Sequence, residues 1–216
     1  MAPTLECISE DIGALVERTK LGLVRLSNRR GTGTGTIWHP DRLVLTNAHV
    51  VAAGPTSATL ADGTVLPAKV LYRSAEQDLA ALMVEASELT TISLGDSRGL
   101  RPGQWVLALG FPGGVVASAA AGVVLGESVP DFEAAARDVI PISLRLKPGY
   151  SGGPLLDAEG RLVGINTMVV GTDVGIAIPV HTVKTFLKSV LVPDQGLRSC
   201  FRRTLSTRPN PSTETP

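Results

Sequence analysis

The stretch Pro148-Gly149-Tyr150-Ser151-Gly152-Gly153-Pro154 decides how this chain is read. A serine hydroxyl is a poor nucleophile until a neighbouring base takes its proton. It also needs donors aimed at the oxyanion that its attack creates. Glycines around a serine let the backbone bend until N–H groups converge on one point. Here the N–H groups of Gly149 and Ser151 are the expected oxyanion donors. Some hydrolases carry their nucleophile on a strand-to-helix elbow with the partners following in the order Ser, Asp, His. Gly152-Gly153-Pro154 is a bad helix start, and too little chain follows for that fold. The order His, Asp, Ser fits instead.

Working backward, three histidines offer a base. His39 precedes Pro40 in a turn and reads as a surface residue. His181 opens the last helical stretch and reads as a polar cap-region residue. His49 ends the apolar run Leu43–Thr46, where Ala48 and the flanking valines would bury the base of its ring and leave one edge free. A buried neutral imidazole is a suitable general base. Asp78 opens another apolar run, Leu79–Val84, whereas Asp41, Asp62 and Asp96 lie in ordinary turn contexts. Asp78 would accept a hydrogen bond from His49 and stabilise the imidazolium. His49 and Asp78 then fall in the first half of the chain and Ser151 in the second, with the site between.

The rest of the chain agrees with an all-β class. Its 216 residues are 44% hydrophobic but only 4% aromatic, with 23 glycines and 15 prolines. Short apolar runs between turns predict a barrel or sandwich. Expected strands are 21–27, 43–46, 58–60, 68–72 and 80–84, then 105–110, 119–125, 140–144, 154–157, 162–167 and 175–178. Gly31–Trp38 (GTGTGTIW) reads as a turn running into a strand and fails the dinucleotide fingerprint at Thr36. Residues 8–20 read as an amphipathic helix capped by Ser9, with Ile12, Leu15 and Val16 on one face. Residues 181–192 read as a closing helix with Val183, Phe186, Leu187 and Val190 inward. The insert 126–138 reads as a mobile loop and the tail 206–216 as disordered.

Twenty basic and twenty acidic residues leave no net charge. There is thus no basic field for nucleic acid or a membrane surface, and Arg198, Arg202 and Arg203 read as a solvated end. Two cysteines, Cys7 and Cys200, make no disulfide framework. The acidic N-terminal stretch does not read as a signal peptide, and no run is long enough to span a bilayer. A cytoplasmic location is expected. No His/Cys/Asp cluster has metal-ligand spacing.

Taken together, GTGTGTIW (31–38), LVLTNAHVV (43–51), QDLAALMV (77–84), ALGFPGG (108–114), GYSGGPLLDAEGRLVGINT (149–167) and VGIAIPV (174–180) resemble the trypsin-like peptidases, and within them the HtrA/DegP protease domain. The resemblance runs over about residues 11–190. It implies two packed six-stranded β-barrels with short terminal helices, the first over about 21–95 and the second over about 100–180, in a protease domain spanning 1–205. It implies cofactor-free hydrolysis of a protein or peptide through His49, Asp78 and Ser151. The implied substrate-binding residues are Arg145, Tyr150, Asn166, Thr167 and Met168, with 164–169 pairing with the substrate backbone as an added strand. The chain departs from the family at Tyr150, where Asn is usual, and at Ser143, where an acid is common. It also stops where relatives continue into a PDZ domain, so peptide sensing through one is not expected. Arg145 falls at the expected floor of the specificity pocket. It either favours an acidic residue there, or faces solvent or an acid of 126–138. With no zymogen-like N-terminus, activity is expected to depend on ordering of 145–150 and 169–173 by substrate, self-association or a partner. A catalytically silent peptide-binding or scaffold module is the alternative, and hydrolysis of one dedicated partner is a third reading.

Overall fold

The computed structural model describes residues 5–54, 56–114, 117–126, 138–170 and 173–191. The expected tail 206–216, the arginines at 198, 202 and 203, most of the insert 126–138 and part of 169–173 lie outside these residues.

Six strands close the first barrel: β1 (Leu23–Asn28), β2 (Gly31–His39), β3 (Leu43–Thr46), β4 (Thr56–Thr59), β5 (Val65–Ser74) and β6 (Leu79–Val84), in the order β1-β2-β3-β6-β5-β4. Six more make the second sheet: β7 (Trp105–Gly110), β8 (Ser118–Val123), β9 (Ile140–Ile142), β10 (Pro154–Asp157), β11 (Leu162–Val170) and β12 (Val174–Pro179), in the order β8-β7-β10-β11-β12-β9. Its two edges meet through a bridge between Val124 and Ile142, where Leu125 N–H donates to Pro141 at 2.8 Å and Ser143 N–H to Val123 at 2.9 Å. The expected pair of six-stranded units is therefore present, the second closed by a bridge rather than a full ladder.

Strands buried on both faces explain the packing. Side chains alternate across a strand, so β3 sends Val44 into the first barrel and Leu43 and Leu45 into a central core. In β6, Ala80 and Leu82 face the barrel while Leu79 and Ala81 face the centre. Likewise β7 divides Val106 and Ala108 from Leu107 and Leu109. The central core thus lies between the two halves. Truncating a leucine buried there, such as Leu45 or Leu109, costs about 2–5 kcal/mol.

Two helices seal this core. Helix α1 (Leu5–Thr19) places Leu15 in it, with Ile12 and Val16 packed alongside. It begins before Ser9, which is therefore an interior residue and not a cap. Helix α2 (Val180–Leu191) buries Val183, Phe186, Leu187 and Val190, the expected face. Its first turn is tied to the inter-barrel connection: Ser97 Oγ accepts the His181 N–H at 3.2 Å and sits 2.7 Å from His181 Nδ1. His181 Nε2 meets Asp138, so this histidine joins three parts of the chain.

His39 is not a surface residue. A register shift in the β2–β3 ladder seats it opposite Leu43, where it is buried and its Nδ1 accepts the Asp41 N–H at 3.0 Å. Gly31–Trp38 is strand throughout. A Cβ at Gly33 would stand 2.7 Å from Val50, and one at Gly35 2.6 Å from Val44. The glycines thus leave room for valines on one face of β2, and the threonines are free to face the second half.

Candidate active site

The β3–β6 ladder pairs Thr46 with Ala80, so the turn after β3 and the residue before β6 lie at the same end of the barrel. That places His49 beside Asp78. Buried Asn47 holds the pair from behind, its Nδ2 donating to the Asp78 carbonyl at 3.0 Å. Arg73 Nε donates to the Ala48 carbonyl at 2.9 Å. Asp78 has φ 51°, a left-handed conformation that aspartate tolerates better than most residues.

The Asp78 carboxylate is the hub. His49 Nδ1 lies 3.0 and 2.9 Å from its two oxygens, the His49 backbone N–H donates at 3.1 Å, and Thr167 Oγ1 donates at 2.6 Å. An ionised carboxylate only accepts, so Nδ1 carries the proton and Nε2 is left as an acceptor. Burial is the largest single influence on the Asp78 carboxyl and acts to raise it. The hydrogen bonds from the His49 ring and Thr167, with the attraction of the imidazole when it is protonated and the bond from the His49 N–H, outweigh burial and hold the group below the usual carboxylate value. The imidazole itself is about half exposed at 48%, while the Asp78 side chain is only 13% exposed.

Ser151 arrives from the second half. Its Oγ donates to the Thr167 carbonyl at 2.7 Å; among the described residues it makes no hydrogen bond with His49. Thr167 therefore touches both sides of the site, through its hydroxyl to Asp78 and through its carbonyl to Ser151. Catalytic hydrogen bonds are commonly loose without ligand.

The turn around Ser151 is held by its carbonyls. Thr34 Oγ1 donates to the Gly149 carbonyl at 2.6 Å and Thr34 N–H to the Ser151 carbonyl at 2.9 Å. Thr36 Oγ1 donates to the Gly152 carbonyl at 3.0 Å. Phe111 N–H donates to Gly149 at 3.1 Å, and Gly153 N–H to Tyr150 at 3.0 Å. The N–H groups of Gly149 and Ser151 make no such bonds among the described residues, which leaves both as available donors. Gly152, at φ 83°, could not be replaced: a Cβ there would lie 2.0 Å from the Thr34 carbonyl. Sequence reasoning missed Thr34 and Thr36. Strict alternation of threonine with glycine was the signal that could have found them, because it puts every hydroxyl of β2 on one face.

The expected substrate-binding residues divide. Asn166 is fully buried, its Nδ2 donating to Pro154 at 2.9 Å and its backbone groups bonded to Gly152 and Gly153 at 2.8 Å each. It supports the turn that carries Ser151, with its side chain buried away from the surface. Beyond Ile165, β11 leaves β10, so 167–170 have one edge unpaired among the described strands; Met168 pairs with Ile176 on the other edge. Arg145 is exposed while Leu144 and Leu146 are buried. A Cβ on Gly175 would meet the Leu144 carbonyl and Leu146, so Leu146 and not Arg145 stands on the Gly175 side. Arg145 lines the opposite cleft with Lys147 and Tyr150. Burial raises the Tyr150 hydroxyl above its usual pKa. No group of acids, histidines or cysteines able to hold a metal occurs among the described residues.

With this geometry in view, residues 33–165 match the family of the trypsin-like peptidase domain. The chain belongs to the trypsin-like peptidase family. Its relatives are of the HtrA/DegP kind. It is 38% identical over 168 residues to the putative serine protease HhoB of Synechocystis, which covers 74% of this chain and 40% of the relative. It is 36% identical over 163 residues to the mitochondrial serine protease HTRA2 of Drosophila ananassae, covering 72% and 38%. The chain thus spans about two fifths of the length of these curated relatives. Among solved structures, the HtrA-type protease AlgW with a decapeptide superposes with a TM-score of 0.76 at 26% identity, covering 84% of this chain and 67% of that one. AlgW with a tripeptide gives 0.75 at 30%, covering 82% and 62%. Relatives whose names place them in the periplasm, mitochondrion or chloroplast lend no support to the cytoplasmic location expected above.

Proposed function

We propose that this chain is a serine endopeptidase in which Ser151 is the nucleophile, His49 the general base and Asp78 the group that orients and stabilises the imidazolium. The observation that carries the reading is the Asp78 carboxylate, which accepts from His49 Nδ1 and from Thr167 while the Thr167 carbonyl holds Ser151 Oγ. The His49 Nε2 that this leaves unprotonated takes the Ser151 proton as Oγ attacks the scissile carbonyl. The resulting oxyanion is met by the N–H groups of Gly149 and Ser151. His49 then passes the proton to the departing amine, leaving an acyl-enzyme that water cleaves by the same steps in reverse.

A peptide substrate lies along the open edge of β11 at 167–170 as an added strand. The AlgW structures that resemble this chain were solved with a decapeptide and with a tripeptide, which supports a peptide as the ligand class. The side chain before the cut then meets Leu146 and Gly175, which favours a small apolar residue and not an acidic one. Ordering of 145–150 by substrate, self-association or a partner sets the rate; a full-rate burst on casein without lag from a purified monomer argues against that control.

The alternative, a silent peptide-binding module, has one observation in its favour: Ser151 Oγ rests on Thr167 and not on His49. A fluorophosphonate probe separates the two readings. It should label the chain and leave Ser151→Ala unlabelled; an unlabelled wild-type chain overturns the peptidase assignment.

A further inference from the structure

The alternation that turns Leu144 and Leu146 into the core turns Arg145 and Lys147 outward together. Both line a cleft of about 520 Å³ between the Pro112–Gly114 turn, β8 and the segment ending at Tyr150. Its other walls are Pro112, Gly113, Ser118, Ala120 and Tyr150, a mixture of apolar and polar groups. Among the described residues no acid lines it, and none of the ion pairs includes Arg145 or Lys147. A second cleft shows the contrast: there Arg161 is already paired with Asp157 and Glu159. A cavity of this size takes a few amino-acid residues, and two cations with no acidic partner among the described residues, beside Pro112, Ala120 and Tyr150, suit carboxylates on aliphatic stems.

The cleft also reaches the reacting centre. Tyr150 precedes Ser151, and its N–H donates to the Lys147 carbonyl at 3.1 Å, a local bond within the segment. A ligand gripping Lys147 and Arg145 would stiffen the stretch that carries the Gly149 and Ser151 donors.

We propose that this cleft binds the carboxylates of an acidic peptide segment, and that binding raises turnover at Ser151. The second half of this proposal rests on the peptidase reading; the first does not, so the two are measured separately. Fluorescein-labelled acetyl-hexaglutamate is titrated with the full chain and followed by anisotropy. Binding should weaken as salt rises and fall at least about tenfold in Arg145→Gln/Lys147→Gln, but not in the surface control Arg101→Gln/Lys184→Gln. No binding to the wild-type chain, equal binding by the double variant, or equal loss in the control overturns the site. Displacement by sulfate at the probe's own concentration overturns the peptide assignment in favour of a bare anion. In the second measurement, unlabelled hexaglutamate is added to cleavage of a neutral peptide. A rise in kcat that the double variant lacks assigns a separate acidic peptide. A rise only when the glutamates are built into the substrate assigns the substrate's own chain. No rise in either arm overturns the coupling to turnover, while the anisotropy result stands by itself even for a silent chain.

Discussion

Two segments flank Ser151, and they are held in opposite ways. Strand β2 comes from the first barrel and is paired along its whole length, with β1 from Gly31 to Thr36 and with β3 from Thr36 to His39. Its threonines then spend their hydroxyls on the nucleophile turn. The segment Ser143–Tyr150 belongs to the second half; it is anchored at Ser143 by Val123 and at Gly149 by Thr34 and Phe111, and between these anchors it is held by local bonds: Leu144 N–H to Ile142 at 2.8 Å, Leu146 N–H to Leu144 at 3.1 Å and Tyr150 N–H to Lys147 at 3.1 Å. Bonds that close within a few residues constrain the chain less than a ladder does. One wall of the site is therefore built with the fold, and the other is left adjustable. The rate control proposed above belongs on the adjustable wall, and geometric precision on the rigid one.

This contrast is open to direct attack. The largest effect precedes it: Ser151→Ala or His49→Ala should cost about 10⁴-fold or more in kcat, measured with a fluorogenic peptide. A residual rate within about tenfold of wild type would remove both residues from the chemistry. On the rigid wall, Thr34→Val should lower kcat by about 10–100-fold with KM changed less than about threefold, because Gly149 loses the bond that sets its peptide plane. Thr34→Ser should restore it. A Thr34→Val enzyme that turns over normally would show that Phe111 N–H alone holds Gly149. Thr167→Val removes one charge-assisted bond from Asp78 and should cost about tenfold in kcat. On the adjustable wall, Ser143→Ala gives up only an exposed bond from the Val123 N–H, at 3.0 Å, and should stay within about threefold. If it matches Thr34→Val, the two walls are not different in kind.

Acid stability gives a smaller and separate reading. The Asp78 carboxyl is held below its ordinary 3.8 in the folded chain. Its contribution is therefore fully present above the unfolded value and is lost as pH falls through the folded one. Urea midpoints should decline from about pH 5 to about pH 3 more steeply in wild type than in Asp78→Asn. Parallel slopes would mean that Asp78 gains nothing from its partners.

How far the chain could be read in advance follows the same division. Leu43–Thr46, Trp105–Gly110 and Pro154–Asp157 are found with the bounds that apolar patterning predicts, since these central strands are buried on both faces. Strand β5 runs further than its apolar centre, from Val65 to Ser74, because pairing with both β4 and β6 carries it through Pro67 and Lys69. His39 and Asn166 were misjudged for one reason: polar side chains read as surface or ligand contacts are buried where a backbone partner awaits them. The meeting of His49 with Asp78 was legible because two apolar runs each end in a chemically suited residue. The threonine supports were not, because a buried hydroxyl bonded to a carbonyl leaves no mark on hydropathy.

The bridge that closes the second sheet has a practical consequence. Leu125 and Pro141, and Val123 and Ser143, are bonded to one another, so the chain between them starts and ends at a fixed clasp. Lengthening a loop whose ends are already clasped adds only about 0.6 kcal/mol of closure entropy for each doubling. The stretch between residues 126 and 138 is thus a natural port for grafting: an epitope or a small reporter inserted there should leave both barrels intact, and the clasp, not the insert's own sequence, would keep the graft in register.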